Sequence, residues 1–325
     1  MKSIAITTIY AAMSILLFAA CNDDNDDVIN GGTHNTPANV YIAGVSNGTA
    51  TLWNNGQSTT FPDYTSATDI AVLGNDVYLL GSKDSQYCYW KEGQPETPTI
   101  VKGVGNTIAV SGNDVYMGGD DGDKIPCYWR NGQKTNLPMF IGSLFSATVM
   151  DIAVSESGDV YMAGWYLFGG DSGWVAAYWK NGDLFIFSQN NRQIDEASIA
   201  IAISGNDVYV CGTTTSPDSG REAVYWKNGQ QVVLAQNAHT AGIAVSGKDV
   251  YVCGSNSDGG AVYWKNGKQI TLTQNATATG IAIYSNDVYV CGYTNAGSGI
   301  STAVYWKNGE QIELGQGVAN AIAVK

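Results

Sequence analysis

A phrase repeats along this chain. Ile243-Ala244-Val245-Ser246-Gly247-Lys248-Asp249-Val250-Tyr251-Val252-Cys253-Gly254 is followed by Ala261-Val262-Tyr263-Trp264-Lys265-Asn266-Gly267. The same wording returns at 281–292 with 303–309, and at 201–212 with 223–229. A fixed period of this size restricts the chain to repeat architectures, in which copies of one small unit bury their apolar faces against each other. It also means that a residue recurring at the same place in each unit is read first as structural.

The repeated tryptophan falls at Trp53, Trp90, Trp129, Trp179, Trp226, Trp264 and Trp306, with spacings of 37, 39, 50, 47, 38 and 42 residues. Periods near 40 with alternating β-branched and aromatic residues predict an all-β, seven-bladed β-propeller with four strands per blade. Strand a reads Ile-Ala-Val-Ser and strand b reads Val-Tyr-Val-Cys-Gly. Strand c reads Ala-Val-Tyr-Trp and ends in Lys-Asn-Gly, a strong hairpin signal because both turn residues tolerate positive φ. Strand d follows, as in Gln231-Val232-Val233-Leu234. The repeats begin at Asn39-Val40-Tyr41-Ile42-Ala43-Gly44, a strand b without its strand a. They finish at Ala321-Ile322-Ala323-Val324-Lys325, a strand a without its strand b. Pairing these halves predicts a ring closed by the C-terminal strand in the N-terminal blade, leaving no open blade interface.

Residues 39–325 are thus predicted to form the propeller, and the residues before them read differently. Met1-Lys2 precedes a mostly apolar run to Ala20, which reads as a secretory signal over 1–20. It ends Leu17-Phe18-Ala19-Ala20-Cys21, which resembles a bacterial lipobox, with Phe18 where Leu is more usual. The resemblance implies lipidation of Cys21 and a membrane anchor through that residue alone. Residues 21–38, opening Asn22-Asp23-Asp24-Asn25-Asp26-Asp27, read as an acidic flexible tether. A net charge of −13 argues against nucleic acid and against a polybasic membrane contact. The remaining cysteines occupy two repeat positions: Cys211, Cys253 and Cys291 share one, Cys88 and Cys127 the other. They read as small buried hydrophobes, without disulfides and without a metal cluster.

Chain direction places the a–b and c–d turns on one face of the ring, and the b–c loops and d–a connections on the other. The turn face is uniform. Asp76, Asp114, Asp159, Asp207, Asp249 and Asp287 all sit there and read as turn stabilisers. The loop face varies, and variable loops on a rigid scaffold are where binding residues collect. The two long spacings put its insertions around blades three to five. Trp165 and Trp174 are the only tryptophans outside the repeat position, and they are expected to bracket a blade-four loop with Tyr166 and Phe168. Aromatics in a Gly-rich loop suit stacking on sugar rings or anchoring a protein. Arg192, Asp195, Glu196 and Arg221 are expected to supply hydrogen bonds nearby.

Other motifs are weaker. Gly170-Asp171-Ser172-Gly173 spells a fragment of a serine-protease signature, but a serine nucleophile needs a positioned base. The chain has only His34, in the tether, and His239. No spacing offers zinc its ligands. Asp120, Asp121 and Asp123 offer oxygens to a Ca²⁺ ion without fitting an EF-hand loop. Asp63, Asp171, Asp195, Glu196 and Asp218 are candidate glycosidase carboxylates, though nothing in the spacing pairs them.

With its leader, acidic tether and seven repeats carrying the Val-Tyr-Trp-Lys-Asn-Gly phrase or a variant of it, the chain resembles surface lipoproteins of gut Bacteroidetes that carry a repeat propeller. An acidic run after the lipidated cysteine resembles the surface-export signal of such lipoproteins and implies display on the outer membrane. The resemblance implies no particular activity. In architecture the chain also resembles lectin-type propellers, without matching their sugar-binding motifs. The expected function is non-enzymatic binding at the cell surface by a monomer, with glycan as ligand. The alternatives are an envelope protein-interaction scaffold and a polysaccharide-active hydrolase or lyase. The near-identical later repeats also allow several shallow equivalent sites in place of one.

Overall fold

Strands form wherever the repeated phrase alternates β-branched, aromatic and small residues, and they stop at the Gly-Asn and Asn-Gly pairs. The computed structural model describes residues 38–95, 97–139, 146–167, 174–187, 193–194, 199–216, 220–296 and 300–325, and residues 1–37, with Cys21 and the segment read as a secretory signal, lie outside these. Seven antiparallel sheets result, each ordered a–b–c–d. In blade six the strands are His239–Ser246, Asp249–Ser255, Ala261–Lys265 and Lys268–Thr273. The a strands contact one another in succession around the ring, so they form its inner wall and the d strands its outer edge. The fold is a seven-bladed β-propeller.

Closure is as the split repeat predicts. Val318–Val324 pairs antiparallel with Val40–Ser46, joining Tyr41 to Ala323 and Ile42 to Ile322. Beyond that pairing, the Asn39 amide donates to the Lys325 carbonyl at 2.8 Å and the Lys325 amide donates back at 3.1 Å.

The repeated tryptophans sit between blades, each at most 2% exposed. Several reach the outer strand of the preceding blade or the residues just past it. Trp53 Nε1 donates to the Leu314 carbonyl at 3.1 Å, Trp179 Nε1 to Pro138 at 3.1 Å, and Trp306 Nε1 to Thr273 Oγ1 at 2.9 Å. Trp226 stacks on Phe187 with centroids 5.2 Å apart. All five described cysteines are free and buried. Burial pushes the Cys88 thiol up to about 11 and those of Cys127, Cys211 and Cys291 to about 12.

Two features go beyond the repeat phrase. Strand a is longer than Ile-Ala-Val-Ser, and in six blades it carries a β-bulge just before the Ile. The bulge drives a strand-a carbonyl towards strand b, which explains the Gly that ends Val-Tyr-Val-Cys-Gly: a Cβ on Gly254 would collide with the His239 carbonyl. At the position after the bulge, blades two and four carry the fully buried carboxylates Asp69 and Asp151. Asp69 accepts from the Ile70 amide in its own strand and from the Ile108 amide in blade three, each at 2.8 Å. Asp151 accepts from Ile152 and from Ile201 of blade five at 2.8 Å, and from Thr107 Oγ1 at 3.2 Å. These side chains staple neighbouring inner strands. Burial, and secondly the charge of Asp69, holds the Asp151 carboxyl well above the usual carboxylate range.

Candidate functional site

The turn face is built from one recurring cluster. In blade six the Asn266-Gly267 turn has φ of 50° and 82°. Asn266 Oδ1 accepts from the Val250 amide at 2.9 Å, and its Nδ2 donates to Asp249 at 2.7 Å. Lys265 pairs with Asp249 at 2.8 Å while lying 5.1 Å from the Tyr251 ring centroid. The Lys265 and Asn266 hydrogen bonds hold the Asp249 carboxyl below its usual range. The same arrangement surrounds Asp114, Asp159, Asp207 and Asp287. In blade two Asp76 keeps the ion pair, with Lys91 at 2.7 Å. Blade one has no such aspartate: Asn39 accepts from Asn55 Nδ2 at 3.0 Å, and Lys325 lies over Tyr41 at 5.4 Å.

On the loop face the structure corrects the reading of blade four. Trp165 and Tyr166 are not loop residues. Strand b runs to Leu167, past the Gly where the repeated phrase stops, and is paired on both sides. Successive residues of a strand face opposite ways, so Trp165 packs towards blade five and Tyr166 towards blade three. They are 4% and 0% exposed, and neither offers a ring face to a ligand. Trp174 opens strand c and is partly exposed. It meets Trp165 edge to face, with centroids 4.2 Å apart and planes at 85°. Lys124 from blade three approaches the Trp165 ring at 5.9 Å. Arg221 also lies in a strand, at the exposed start of Gly220–Lys227, with its Nη1 3.1 Å from His239 Nε2. Glu222 beside it is buried and accepts from Gln236 Nε2 at 2.8 Å. Blade five also gains a strand that the sequence did not announce: Gln193–Ile194 pairs with Thr214–Thr215. Phe168, Arg192 and Glu196 lie outside the described residues, as do Asp171, Asp195 and Asp218.

The acidic loop of blade three is internally engaged. Asp120 Oδ1 accepts from the Gly122 amide, and Asp121 Oδ1 from the Asp123 and Ile125 amides. Lys124 and Lys134 stand 3.8 and 3.7 Å from these two carboxylates. Among the described residues no three His, Cys, Asp or Glu side chains gather as a metal site. Asp63 is exposed, with Lys83 at 3.3 Å.

A cavity of about 550 Å³ opens on the turn face between blades three and four. Its walls include Tyr116, Tyr128 and Met162, and its rim includes Asn113, Asp114, Arg130 and Asn181. The sequence reading treated this face as purely structural. Two departures from the repeat border the cavity and were visible in the sequence. Arg130 stands where Lys91, Lys180, Lys227, Lys265 and Lys307 stand elsewhere, and a five-residue connection, 155–159, replaces the usual two-residue a–b turn.

No protein-family model matches the chain, and no curated protein matches it. Solved structures do. The β-propeller domain of the Trilobed protease from Pyrococcus furiosus, described as having an open velcro topology, aligns over 85% of this chain and 94% of its own, with a TM-score of 0.53 and 11% identity. A puromycin-hydrolyzing peptidase from Mycobacterium tuberculosis aligns over 85% of this chain, with a TM-score of 0.52 and 11% identity. There the chain spans about half of the other protein, 53% of it. The likeness is one of fold. At these identities the propeller is shared and the activity is not carried over.

Proposed function

We propose that this protein is a non-enzymatic binding protein that takes a glycan at the loop-face rim of blades four and five. The observation that carries the reading is Trp174. Its ring is partly exposed and fixed edge to face by the buried Trp165, so a sugar meets an aromatic surface that is already ordered. Preorganisation of this kind lowers the entropy lost on binding. Arg221, exposed at the start of strand c on the next blade, would supply hydrogen-bond donors on the same face. Phe168, Arg192 and Glu196 belong to the same rim in sequence.

The test is a glycan-array screen of residues 28–325, followed by calorimetry on Trp174→Ala and Arg221→Ala. Each substitution is expected to weaken binding by about tenfold or more, since an aromatic platform or a charged hydrogen bond contributes ~1–3 kcal/mol, with little change in melting temperature. Wild-type affinity in both variants would move the ligand elsewhere. Binding of an envelope protein with no glycan bound would favour the scaffold reading.

We further propose that Cys21 is lipidated and that the acidic tether carries the propeller outward from the outer membrane. Cys21→Ala should shift the protein from the membrane to the soluble fraction. Protease added to intact cells should remove the propeller; full protection would place it on the inner side.

A further inference from the structure

The cavity on the turn face suits a ligand of definite chemistry. Arg130 performs the structural duty of the lysines in other blades. Its Nη2 donates to Asp114 Oδ2, and its guanidinium lies 5.7 Å from the Tyr116 ring centroid. A lysine at this place has a single nitrogen to share between these tasks. A guanidinium has five N–H donors in a fixed fork, so Arg130 keeps the ion pair and has donors left over beside the cavity. The connection 155–159 changes the neighbouring rim. Ser155 and Asp159 are joined by a backbone hydrogen bond of 2.9 Å, and Gly158 is at φ 85°. The longer turn and the arginine meet at the same interface, and the cavity lies between them.

Its charges are internally matched, which selects the ligand class. Asp114 is paired with Arg130, and Asp159, behind the Asn181 side chain, with Lys180 at 3.3 Å. An added anion or cation would compete with an existing ion pair. A neutral polyhydroxylated ligand would accept from the spare arginine donors and lie against Tyr128, a half-buried ring on the wall. The volume falls in the ~300–1,000 Å³ range of small-ligand sites.

We infer that the groove between blades three and four is a second saccharide site, on the face opposite the rim site, taking a neutral sugar unit through Arg130 and Tyr128. The inference rests on the reading of the protein as a glycan binder. The two sites are separable by experiment. Calorimetry with neutral hexasaccharides of gluco, manno, galacto and xylo type is run on wild type, Arg130→Lys, Tyr128→Ala and Trp174→Ala. Arg130→Lys restores the residue of the other blades and should leave the melting temperature unchanged. It should remove one of two binding events, or weaken it about tenfold. Trp174→Ala should remove the other event. Replacing 156–158 with Gly-Asn, the turn of other blades, should match the effect of Arg130→Lys. If Arg130→Lys and Tyr128→Ala bind as wild type while Trp174→Ala does not, the groove site is overturned and the rim site stands. If Trp174→Ala binds as wild type and Arg130→Lys does not, the rim is overturned and the groove stands. If wild type binds none of the sugars, both are overturned.

Discussion

At the residue scale, the repeat keeps two kinds of position: tryptophans that pack one blade against the next, and a turn cluster that fixes the hairpins within a blade. Removing a repeated tryptophan leaves a large cavity between blades, so Trp264→Ala should cost ~3–5 kcal/mol in denaturant unfolding. The phenylalanine variants should separate packing from hydrogen bonding. Trp264 Nε1 has no hydrogen-bond partner, whereas Trp306 Nε1 donates to Thr273. Trp306→Phe should therefore be the more destabilising of the two, by about 1 kcal/mol. The turn-face aspartates govern the acid limb of stability. The folded pKa values of Asp114, Asp159, Asp207, Asp249 and Asp287 are depressed, so the stability they contribute is present above about pH 4 and is lost as pH falls through the folded values. Asp249→Asn should flatten that limb in pH-dependent melting. Asp151 has the opposite sign: its raised value contributes stability on the acid side that is lost as pH rises through it. The raised thiols predict that, in residues 28–325, Cys88, Cys127, Cys211, Cys253 and Cys291 react with thiol reagents no faster than the protein opens. Modification at pH 7 well ahead of unfolding would contradict the burial of all five.

At the element scale, the sequence reveals what recurs and conceals what happens once. The seven units, the turn clusters and the split blade are legible because the same residues return at each place. The bulge is less so: its trace is the Gly of Val-Tyr-Val-Cys-Gly, whose need appears only when the strand-a carbonyl is placed against it. Asp69 and Asp151 look like ordinary strand-start carboxylates until the amides of Ile108 and Ile201 are brought to them by adjacent blades. The error over Trp165 has the same origin. The repeated phrase stops at its Gly, but strand b runs past that Gly in every blade, and in blade four pairing with Thr148 and Ala176 takes Trp165 into the strand. One consequence is testable: Trp165→Ala should destabilise the protein by ~3–5 kcal/mol, whereas Trp174→Ala should act mainly on binding. The groove was missed because reasoning from the repeat discounts the uniform face, although Arg130 already breaks the lysine series there.

At the scale of the whole molecule, the ring offers two faces with different logic. One is fixed by a cluster that locks the hairpins of blades three to seven; the other varies in loop length and composition from blade to blade. Deleting 318–325 should abolish the cooperative melt, because it removes the inner strand of blade one and exposes the core on both sides of it. The seam has a meaning in time as well as in space. A nascent chain emerges N-terminus first at about 5–20 residues per second. Three strands of blade one are therefore complete for tens of seconds before the fourth exists. During that interval Val40–Ser46 is an unpaired edge, open to a protease or to another chain. Only when Val318–Val324 arrives does that vulnerability end, so an interrupted chain stays marked as unfinished by its own first blade.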